Sequence, residues 1–420
     1  MYIYIAILFF ACLLLFCKKR KYWLPAKYMV SLYLLSLLAA LASCFIDETL
    51  AKKISFTPTL LFCLLLPFSF SPFFQKEPKM VVDRSSNYNR KFINCGYFIS
   101  ILLIASSLML VTKMQEAFMY GLVEVRMDMY SGYNPISSYT MVEHIGHSIL
   151  RWFGGLGYCL LIMFFYALAY IPGYRMFKIL LIVSSLSVAY LGMLNGGRTH
   201  LLYWVLFFIF SFCVFFNVIP KKEKYWTLLV AIVPIFVLLS LYFVNVSIGR
   251  ADAAHTETNN MLFDYMGKPY INFCYYYDNI DYHHYTLMRI FPLSNSIIGS
   301  NMDLAQYREL IENRTGLYIG TFFTFMGDIY IDIGLIGLLL YIVVVFVVIG
   351  NKLCKKKYVT ISDILLMGNF ARIIVHGLFY YRMYQKETTI SLVLTVVLAL
   401  ILAPRSSIYS KFEITKKILP

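Results

Sequence analysis

Seven of the arginines that lie outside the short basic clusters of this chain are candidates for an anion site. An arginine near the middle of a bilayer costs about 2.5 to 3.5 kcal/mol on insertion scales, so we expect such a side chain to face a cavity or a partner. The planar guanidinium binds phosphate oxygens in pairs and stays charged at physiological pH, which favours a diphosphate ligand. The seven are Arg151, Arg198, Arg250, Arg289, Arg308, Arg314 and Arg372, and we expect Arg198, Arg250, Arg289 and Arg372 to bind the diphosphate.

Arg198 lies in the sequence Asn-Gly-Gly-Arg-Thr-His over residues 195–200. The glycines permit a close approach of the backbone, and a helix that begins at Thr199 or His200 would direct its amide dipoles toward the same point. This pattern favours an anion site. An arginine that extends from the membrane interface to water beside a helix cap is the alternative.

Arg372 lies inside a predicted membrane helix, with His376 one turn later on the same face. It is expected either to bind the anion or to form a structural ion pair inside the bundle, with Asp328, Asp332 or Asp363 as the partner.

Four residues are candidates for proton transfer. A carboxylate or an imidazole can accept the proton of an attacking hydroxyl near neutral pH. We place His283, His284, Asp264 and Asp332 in this role, although loop histidines are often plain surface residues and Asp332 also suits the first turn of a helix. Adjacent His283 and His284 would point in different directions on a helix, so we expect them to act separately.

The elements that position these residues are predicted to be membrane helices. Hydrophobic residues make up 60% of the 420 positions and charged residues 14%, against about 25% charged residues in soluble domains. About 20 apolar residues span the hydrocarbon as a helix. Eleven such segments are predicted, at 2–17, 28–46, 54–74, 92–112, 149–170, 179–194, 200–219, 227–246, 331–350, 359–380 and 388–403.

The net charge of +15 indicates membrane orientation and not nucleic-acid binding. Alternate connections hold 23 of the 37 lysines and arginines, which by the positive-inside rule places these connections in the cytoplasm, the N-terminus outside and the C-terminus inside. The nine cysteines show no CxxC or Cys/His spacing, so neither a metal site nor a disulfide framework is expected. The basic connections are 18–27, 75–91, 172–178, 220–224, 351–357 and the tail after 404.

The expected fold is therefore an all-α polytopic bundle in three regions. Residues 1–246 form an N-terminal transmembrane bundle of about eight helices, and residues 319–420 form the C-terminal transmembrane helices. Residues 247–318 form a large outer loop above a cavity. Loops of that length usually carry function, and the aromatic residues of this one favour short amphipathic helices that lie against the membrane.

Three segments together resemble the bacterial oligosaccharide repeat-unit polymerases, the Wzy-type O-antigen and capsule polymerases. The stretch Gly320 to Gly337 resembles their signature through Thr321, Phe325, Asp332, Gly334 and Gly337. The turn Gly197-Arg198-Thr199 is similar to the glycine-arginine turn that those proteins carry between two central helices. Phe263-Asp264-Tyr265 followed by Lys268-Pro269-Tyr270 is similar to the start of their large outer loop.

The resemblance implies an inverting, metal-independent glycosyltransferase of the bacterial inner membrane without a cofactor. Undecaprenyl diphosphate-linked oligosaccharide would be both donor and acceptor, with membrane lipids and a chain-length regulator protein as further partners. The product would be O-antigen or capsular polysaccharide, made at the periplasmic face. Replacing Arg198 or Arg289 with Ala should then abolish polymer and leave single repeat units. An O-antigen ligase and a non-enzymatic flippase for the lipid-linked unit are the alternatives.

Overall fold

The structure of the protein is a computed structural model in which helices dominate. It describes residues 2–83, 85–121, 124–125, 139–194, 197, 199–226, 261–283, 285, 287–291, 304–317, 319, 322–381 and 386–404. The α-helices of these residues are α1 Tyr2–Lys19, α2 Leu24–Ile46, α3 Glu48–Ala51, α4 Phe56–Ser69, α5 Ser86–Leu108, α6 Val111–Tyr120, α7 Met141–Phe153, α8 Gly157–Tyr170, α9 Arg175–Ser185, α10 Ser187–Leu194, α11 Thr199–Phe215, α12 Lys221–Trp226, α13 Met261–Asn279, α14 Leu304–Thr315, α15 Thr324–Tyr341, α16 Asn351–Cys354, α17 Ile361–His376 and α18 Lys386–Ile401.

Two short strands, two 3-10 helices and one π-helix complete the described elements. Strand β1, Lys79–Met80, pairs in parallel with strand β2, Tyr358–Val359. Helices with three residues per turn cover Ser71–Phe73 and Gly154–Leu156, and a π-helix covers Ile342–Gly350.

The chain is a membrane protein by the length and composition of its helices. Within the described residues, six helical segments are long and apolar enough to cross a bilayer, and two apolar helices are shorter. The six are Tyr2–Lys19, Leu24–Ile46, Tyr88–Leu108, Met141–Tyr170, Arg175–Leu194 and Thr324–Cys354, and the two are Phe56–Ser69 and Thr199–Phe215.

The structure confirms the all-α bundle but bears out fewer than the eleven predicted spans. Helices cover ten of the predicted segments, yet α17 and α18 have 16 residues each, which is short for the hydrocarbon thickness. The predicted span at 227–246 lies outside the described residues.

Three basic connections meet at one end of the bundle. The backbone N–H of Trp23 donates to the carbonyl of Gln75 at 2.8 Å, and the side-chain amide of Gln75 donates to the carbonyl of Cys354 at 2.9 Å. The pairing of β1 with β2 joins the same two later connections. Connections that are far apart in the sequence therefore lie side by side.

Two further contacts extend this end. The side-chain amide of Asn217, in the turn after α11, donates to the carboxylate of Glu77. The hydroxyl of Tyr88 donates to the carbonyl of Leu402, just after α18, at 2.8 Å. We call the region formed by these five contacts the basic end of the bundle, and the other side its opposite end.

Helix α13 packs in the bundle core and does not lie on its surface. A Cβ atom at Gly267 would lie 2.5 Å from the Cα of Ala40, so only glycine allows α13 to approach α2 this closely. The hydroxyl groups of Tyr270 and Thr59 form a buried hydrogen bond of 2.8 Å. The expectation that this part of the 247–318 region forms short helices lying against the membrane is wrong for residues 261–279.

Helix α15 begins earlier than expected and bends sharply. Its first residue is Thr324 and not residue 331, so Asp332 lies in its third turn, and the interpretation of Asp332 as a first-turn residue is wrong. At Gly334 the backbone has φ 67° and ψ −173°, a conformation that is essentially restricted to glycine. The bend divides α15 into two segments.

Candidate functional site

A cavity of about 320 Å³ lies among helices α7, α8, α10, α11, α17 and α18. This volume is within the usual range of small-molecule sites, about 300 to 1,000 Å³. Its lining brings together two arginines, three histidines and one glutamate from widely separated parts of the sequence. These residues are Arg151, Arg372, His147, His200, His376 and Glu387.

The cavity is situated at the opposite end of the bundle from the basic connections. Helix α17 starts beside β2 at the basic end and finishes at His376, while α18 finishes beside Tyr88 and has Glu387 in its first turn. Each of these helices has 16 residues, which corresponds to about 24 Å. His376 and Glu387 are therefore separated from the basic end by most of the bilayer thickness.

Arg372 is the buried cation of the cavity. Its side chain is 3% exposed, one of its terminal nitrogens donates to the hydroxyl of Ser391 at 3.1 Å, and its guanidinium carbon lies 4.5 Å from the ring centroid of Tyr158. The stacking and the hydrogen bond hold the planar guanidinium at the cavity wall. The suggested ion-pair partners Asp328 and Asp363 form their ion pairs with other cations.

His376 shares the Tyr158 ring with Arg372. The imidazole centroid lies 4.9 Å from that of Tyr158 and 4.5 Å from that of Tyr203, and the side chain is 2% exposed. Because residues four apart on a helix lie on one face, α17 presents Arg372 and His376 to the same side of the cavity.

An ion pair lies at the more open part of the cavity. The Nε atom of Arg151 on α7 donates to the carboxylate of Glu387 on α18 at 2.6 Å, with the arginine side chain 53% exposed. His147 lies one turn before Arg151 on α7 and lines the same region. The pair joins the last turn of α7 to the first turn of α18.

Two consecutive glycines form the floor of the cavity. A Cβ atom at Gly155 would lie 2.2 Å from the hydroxyl oxygen of Ser391 and 3.7 Å from a terminal nitrogen of Arg372. A Cβ atom at Gly154 would meet only the carbonyl oxygen of Ser187, at 3.9 Å. The floor therefore separates a wall that holds Arg372 from a wall formed by α10.

His200 belongs to the α10 wall. A Cβ atom at Gly192 would lie 2.6 Å from its Nδ1 atom, so the imidazole rests directly on the backbone of α10. The N–H of Gly197 donates to the carbonyl of Gly192 at 2.7 Å, which closes the turn between α10 and α11. The half-buried imidazole is fixed in position with one side toward the cavity.

Arg289 lies in a different place, in the segment after α13 that is predicted on the outer side and that we call the outer segment, and it joins this segment to α15. Its guanidinium forms an ion pair with the carboxylate of Asp328, with side-chain exposures of 2% and 0%. The backbone N–H of Arg289 donates to the carboxylate of Asp332 at 3.0 Å. The backbone N–H of Tyr381 donates to the second oxygen of Asp328. Asp328 thus connects the outer segment, α15 and the chain that follows α17.

Asp332 collects further contacts from the same outer segment. The N–H of Tyr285 donates to its backbone carbonyl at 3.0 Å, and the hydroxyl of Tyr307 on α14 donates to its carboxylate at 3.4 Å. Burial, together with the negative charge of Asp332, raises the pKa of Tyr307, so this hydroxyl remains a donor. We call Arg289, Asp328, Asp332 and Tyr307 the outer clasp.

His283 lies beside the bend of α15. Its Nδ1 atom is 3.2 Å from the carbonyl oxygen of Ile331, and a Cβ atom at Gly334 would lie 3.1 Å from its Cδ2 atom. Its ring centroid is 5.0 Å from that of Tyr330. The imidazole is therefore packed against the bend and lies outside the lining of the cavity.

The predicted site residues are thus divided between two places. Arg372 lines the cavity, whereas Arg289, Asp332 and His283 lie in or beside the outer clasp, so the described residues do not gather Arg289 and Arg372 in one chamber. Arg198, Arg250, His284 and the side chain of Asp264 lie outside the described residues, and their roles stay predictions.

Aromatic side chains connect the two places. Tyr203, which contacts His376, lies 6.0 Å from Phe379 between ring centroids. Phe379 lies 5.2 Å from Tyr265, whose hydroxyl is 3.2 Å from that of Thr199 at the start of α11. Phe379 also accepts a backbone hydrogen bond from Phe323 at 3.2 Å. The cavity and the outer clasp are thus the two sides of one continuous layer at the opposite end.

Sequence reasoning did not find His147, His200 and Glu387 as site residues. Glu387 had a usable signal, because it is an acidic residue in the first turn of a predicted helix on the outer side. His147 carried no signal beyond residue type, whereas His200 ends the 195–200 pattern that was considered only for Arg198. The described residues contain no group of three or more His, Cys, Asp or Glu that could hold a metal ion.

Comparison of the chain with protein-family models, with curated proteins and with solved structures finds no match.

Proposed function

We propose that this protein is a membrane glycosyltransferase that polymerises undecaprenyl diphosphate-linked oligosaccharide units at the periplasmic face of the bacterial inner membrane. The product is O-antigen or capsular polysaccharide. The reaction inverts the anomeric centre and uses no metal, because the diphosphate of the donor is already an activated leaving group that needs only to be bound and oriented.

The buried Arg372 in the open cavity is the observation that carries this proposal. Burying a guanidinium is costly unless an anionic or polar partner meets it. Ser391, Tyr158 and the glycine floor hold the group at the cavity wall, where its donors suit a bidentate phosphate contact. Arg151 lies near the opening in an ion pair with Glu387, so the two arginines and one glutamate of the lining leave a net positive charge. A diphosphate is the ligand class that this combination favours.

The position of the cavity supports a reaction outside the cytoplasm. By the positive-inside rule, the basic end faces the cytoplasm, so the cavity at the opposite end faces the periplasm. Sugar nucleotides are cytoplasmic donors, whereas a lipid-linked oligosaccharide is presented at the outer face. The eleven-span arrangement, with the N-terminus outside and the C-terminus inside, belongs to this proposal.

The experiment is reconstitution of the purified protein with lipid-linked repeat units and a metal chelator. A ladder of products that differ by one repeat unit is the expected result, and Arg372→Ala should lower its yield by more than about 100-fold, the order of loss seen when a transition-state charge donor is removed. His144→Gln is the matched control, because His144 is exposed on α7 and outside the cavity lining.

Deletion of the gene separates the proposal from its alternatives. Loss of a polymerase leaves glycans of one repeat unit, and loss of a ligase leaves no glycan on the lipid core. Accumulation of the lipid-linked unit on the cytoplasmic leaflet would identify a flippase instead. Failure of the reconstituted protein to extend lipid-linked units would overturn the proposal.

A further inference from the structure

We infer that His200 accepts the proton of the attacking sugar hydroxyl during polymerisation, in a role that the sequence alone had given to His283, His284, Asp264 or Asp332. This inference rests on the proposed function, since it assigns a group to one step of that reaction. The inference is based on the placement of His200 and Arg372 on the two walls that the glycine floor separates.

The arrangement of the walls follows from three close contacts. Gly155 abuts Ser391 and the guanidinium of Arg372, whereas Gly154 abuts Ser187 of α10. His200 rests on Gly192 of that same helix α10, with its Nδ1 atom 2.6 Å from the position of a Cβ atom. Arg372 therefore lies beside Gly155, and His200 lies against α10, the helix that Gly154 contacts, so the two side chains approach the cavity from different walls.

Inversion at the anomeric carbon requires such an arrangement. The acceptor hydroxyl attacks the face of the sugar opposite the leaving phosphate, so the group that takes its proton lies across the sugar from the phosphate-binding residue. With the diphosphate on Arg372, a sugar above the floor would present this opposite face to His200. The half-buried imidazole has access to the hydroxyl, and neutral imidazole is a base near pH 7.

The step balances without any further reactant. The acceptor oxygen forms a bond to the anomeric carbon while the bond from that carbon to the phosphate oxygen breaks. The electron pair of the broken bond leaves with the lipid diphosphate, and the hydroxyl proton passes to a ring nitrogen of His200. The imidazolium then returns the proton to water at the open side of the cavity.

The other two histidines of the cavity are placed differently. His376 lies on the same helix face as Arg372, and the rings of Tyr158, Tyr203 and Phe207 enclose it, so it is on the leaving-group side. His147 lies one turn before Arg151 at the opening. Only His200 is held by α10, the helix across the floor.

The test measures binding and turnover separately. Binding is followed with undecaprenyl diphosphate, and turnover with lipid-linked repeat units extracted from cells that lack this gene. His200→Gln should lower turnover by about 100-fold or more, the usual contribution of a general base, and leave the dissociation constant within about twofold. Imidazole added to His200→Ala should restore part of the turnover. His144→Gln should match the wild-type protein in both measurements.

A second variant covers the case in which His200→Gln fails to fold. Gly192→Ala keeps the imidazole but displaces its ring, because the added methyl group would overlap Nδ1. Turnover should fall while binding persists, and exogenous imidazole should not rescue this variant as it rescues His200→Ala.

Two outcomes would overturn the inference. One is turnover of folded His200→Gln within about threefold of wild type, and the other is a loss of binding that matches the loss of turnover. If His376→Gln alone shows loss of turnover with normal binding, the base is on the Arg372 side. A wild-type protein that makes no polymer defeats the proposed function itself, whereas an active wild type with an active His200→Gln defeats only this inference.

Discussion

The guanidinium of Arg289 and the carboxylate of Asp328 form an ion pair that is almost completely enclosed by protein, with side-chain exposures of 2% and 0%. The pair connects the outer segment to a helix that is long and apolar enough to cross a membrane. Its position makes Arg289 part of the molecule's internal structure, whereas the sequence had suggested that Arg289 meets a ligand.

Breaking this pair on one side should destabilise the protein strongly. Arg289→Ala or Asp328→Asn leaves a buried charge or an unpaired polar group, and the expected cost is about 3 to 5 kcal/mol in the free energy of unfolding. Arg151→Gln is the control, because the pair between Arg151 and Glu387 is partly exposed and should contribute about 0 to 1 kcal/mol. Thermal unfolding in detergent would measure both. Equal midpoints for Arg289→Ala and Arg151→Gln would contradict the structural role.

Replacing both partners separates stability from ligand binding. The double variant Arg289→Met, Asp328→Leu exchanges the pair for apolar side chains of similar size, which often restores stability. If Arg289 acts only in the outer clasp, this variant should recover polymer formation and most of its thermal midpoint, short of the hydrogen bond that Tyr381 donates to Asp328. A stable double variant without polymer would instead support the original expectation that Arg289 binds the diphosphate.

The glycine floor provides a test of the cavity with adjacent control positions. Gly155→Ala should displace Ser391 and the guanidinium of Arg372, because the new methyl group would lie 2.2 Å from the hydroxyl oxygen of Ser391. Polymer yield should therefore fall by about tenfold or more, which corresponds to about 1.4 kcal/mol of lost transition-state binding. Gly154→Ala, with its nearest contact at 3.9 Å, should retain activity. Comparable activity in the two variants would exclude the proposed position of the site.

The bend in α15 should depend on glycine for conformational reasons. Gly334→Ala forces an L residue into φ 67° and ψ −173° and also brings a methyl group to 3.1 Å from His283, so we expect a loss of about 1 to 3 kcal/mol. Gly316→Ala is the control, since Gly316 has φ +71° but no neighbour within 4 Å and should lose only the backbone cost of a left-handed alanine, about 1 to 2 kcal/mol. Chemical denaturation in detergent would distinguish them. A smaller loss at Gly334 than at Gly316 would show that the bend is not a constraint.

The orientation can be measured with single cysteines in a variant that lacks the nine native ones. Lys76 is exposed at the basic end, and Glu48 is exposed beyond the last residue of α2 at the opposite end. A membrane-impermeant maleimide should label Glu48→Cys in cells without an outer membrane, and should label Lys76→Cys only after permeabilisation. The reverse pattern would place the cavity in the cytoplasm and remove its access to periplasmic substrates.

Hydrophobic run lengths and basic clusters predicted the helical bundle and the grouping of its connections well. These features depend on whether each segment lies in lipid or in water, and the composition of the segment itself indicates this. The pairing of β1 with β2 and the contacts of Gln75 confirm that basic connections distant in the sequence meet at one end. The side of the membrane that the basic end faces stays a prediction.

The candidate site was harder to predict because its residues come from separate helices. Arg372 is recognisable in the sequence as a charge inside an apolar segment. The position of His200 depends on the contact of its ring with Gly192 on another helix, which the sequence does not show. The core position of α13 was missed because its tyrosines, asparagine and aspartate suit an interface as well as a core. The hydrogen bond between the hydroxyls of Tyr270 and Thr59 allows both polar groups to be buried. The sequence alone does not reveal such a partner.

The segment Met141–Tyr170, which includes α7 and α8, is 30 residues long, so it extends for about 45 Å and exceeds a hydrocarbon layer of about 30 Å. Part of α7 consequently stands among the lipid headgroups, with Met141, Val142 and Ile145 exposed on it. Under the proposed function, a carrier lipid would deliver its headgroup to the cavity from the side of the bundle while its tail stays in the bilayer. Each methylene of the proposed polyprenyl substrate that stays out of water avoids a cost of about 0.8 kcal/mol, which favours entry from the bilayer over entry from water.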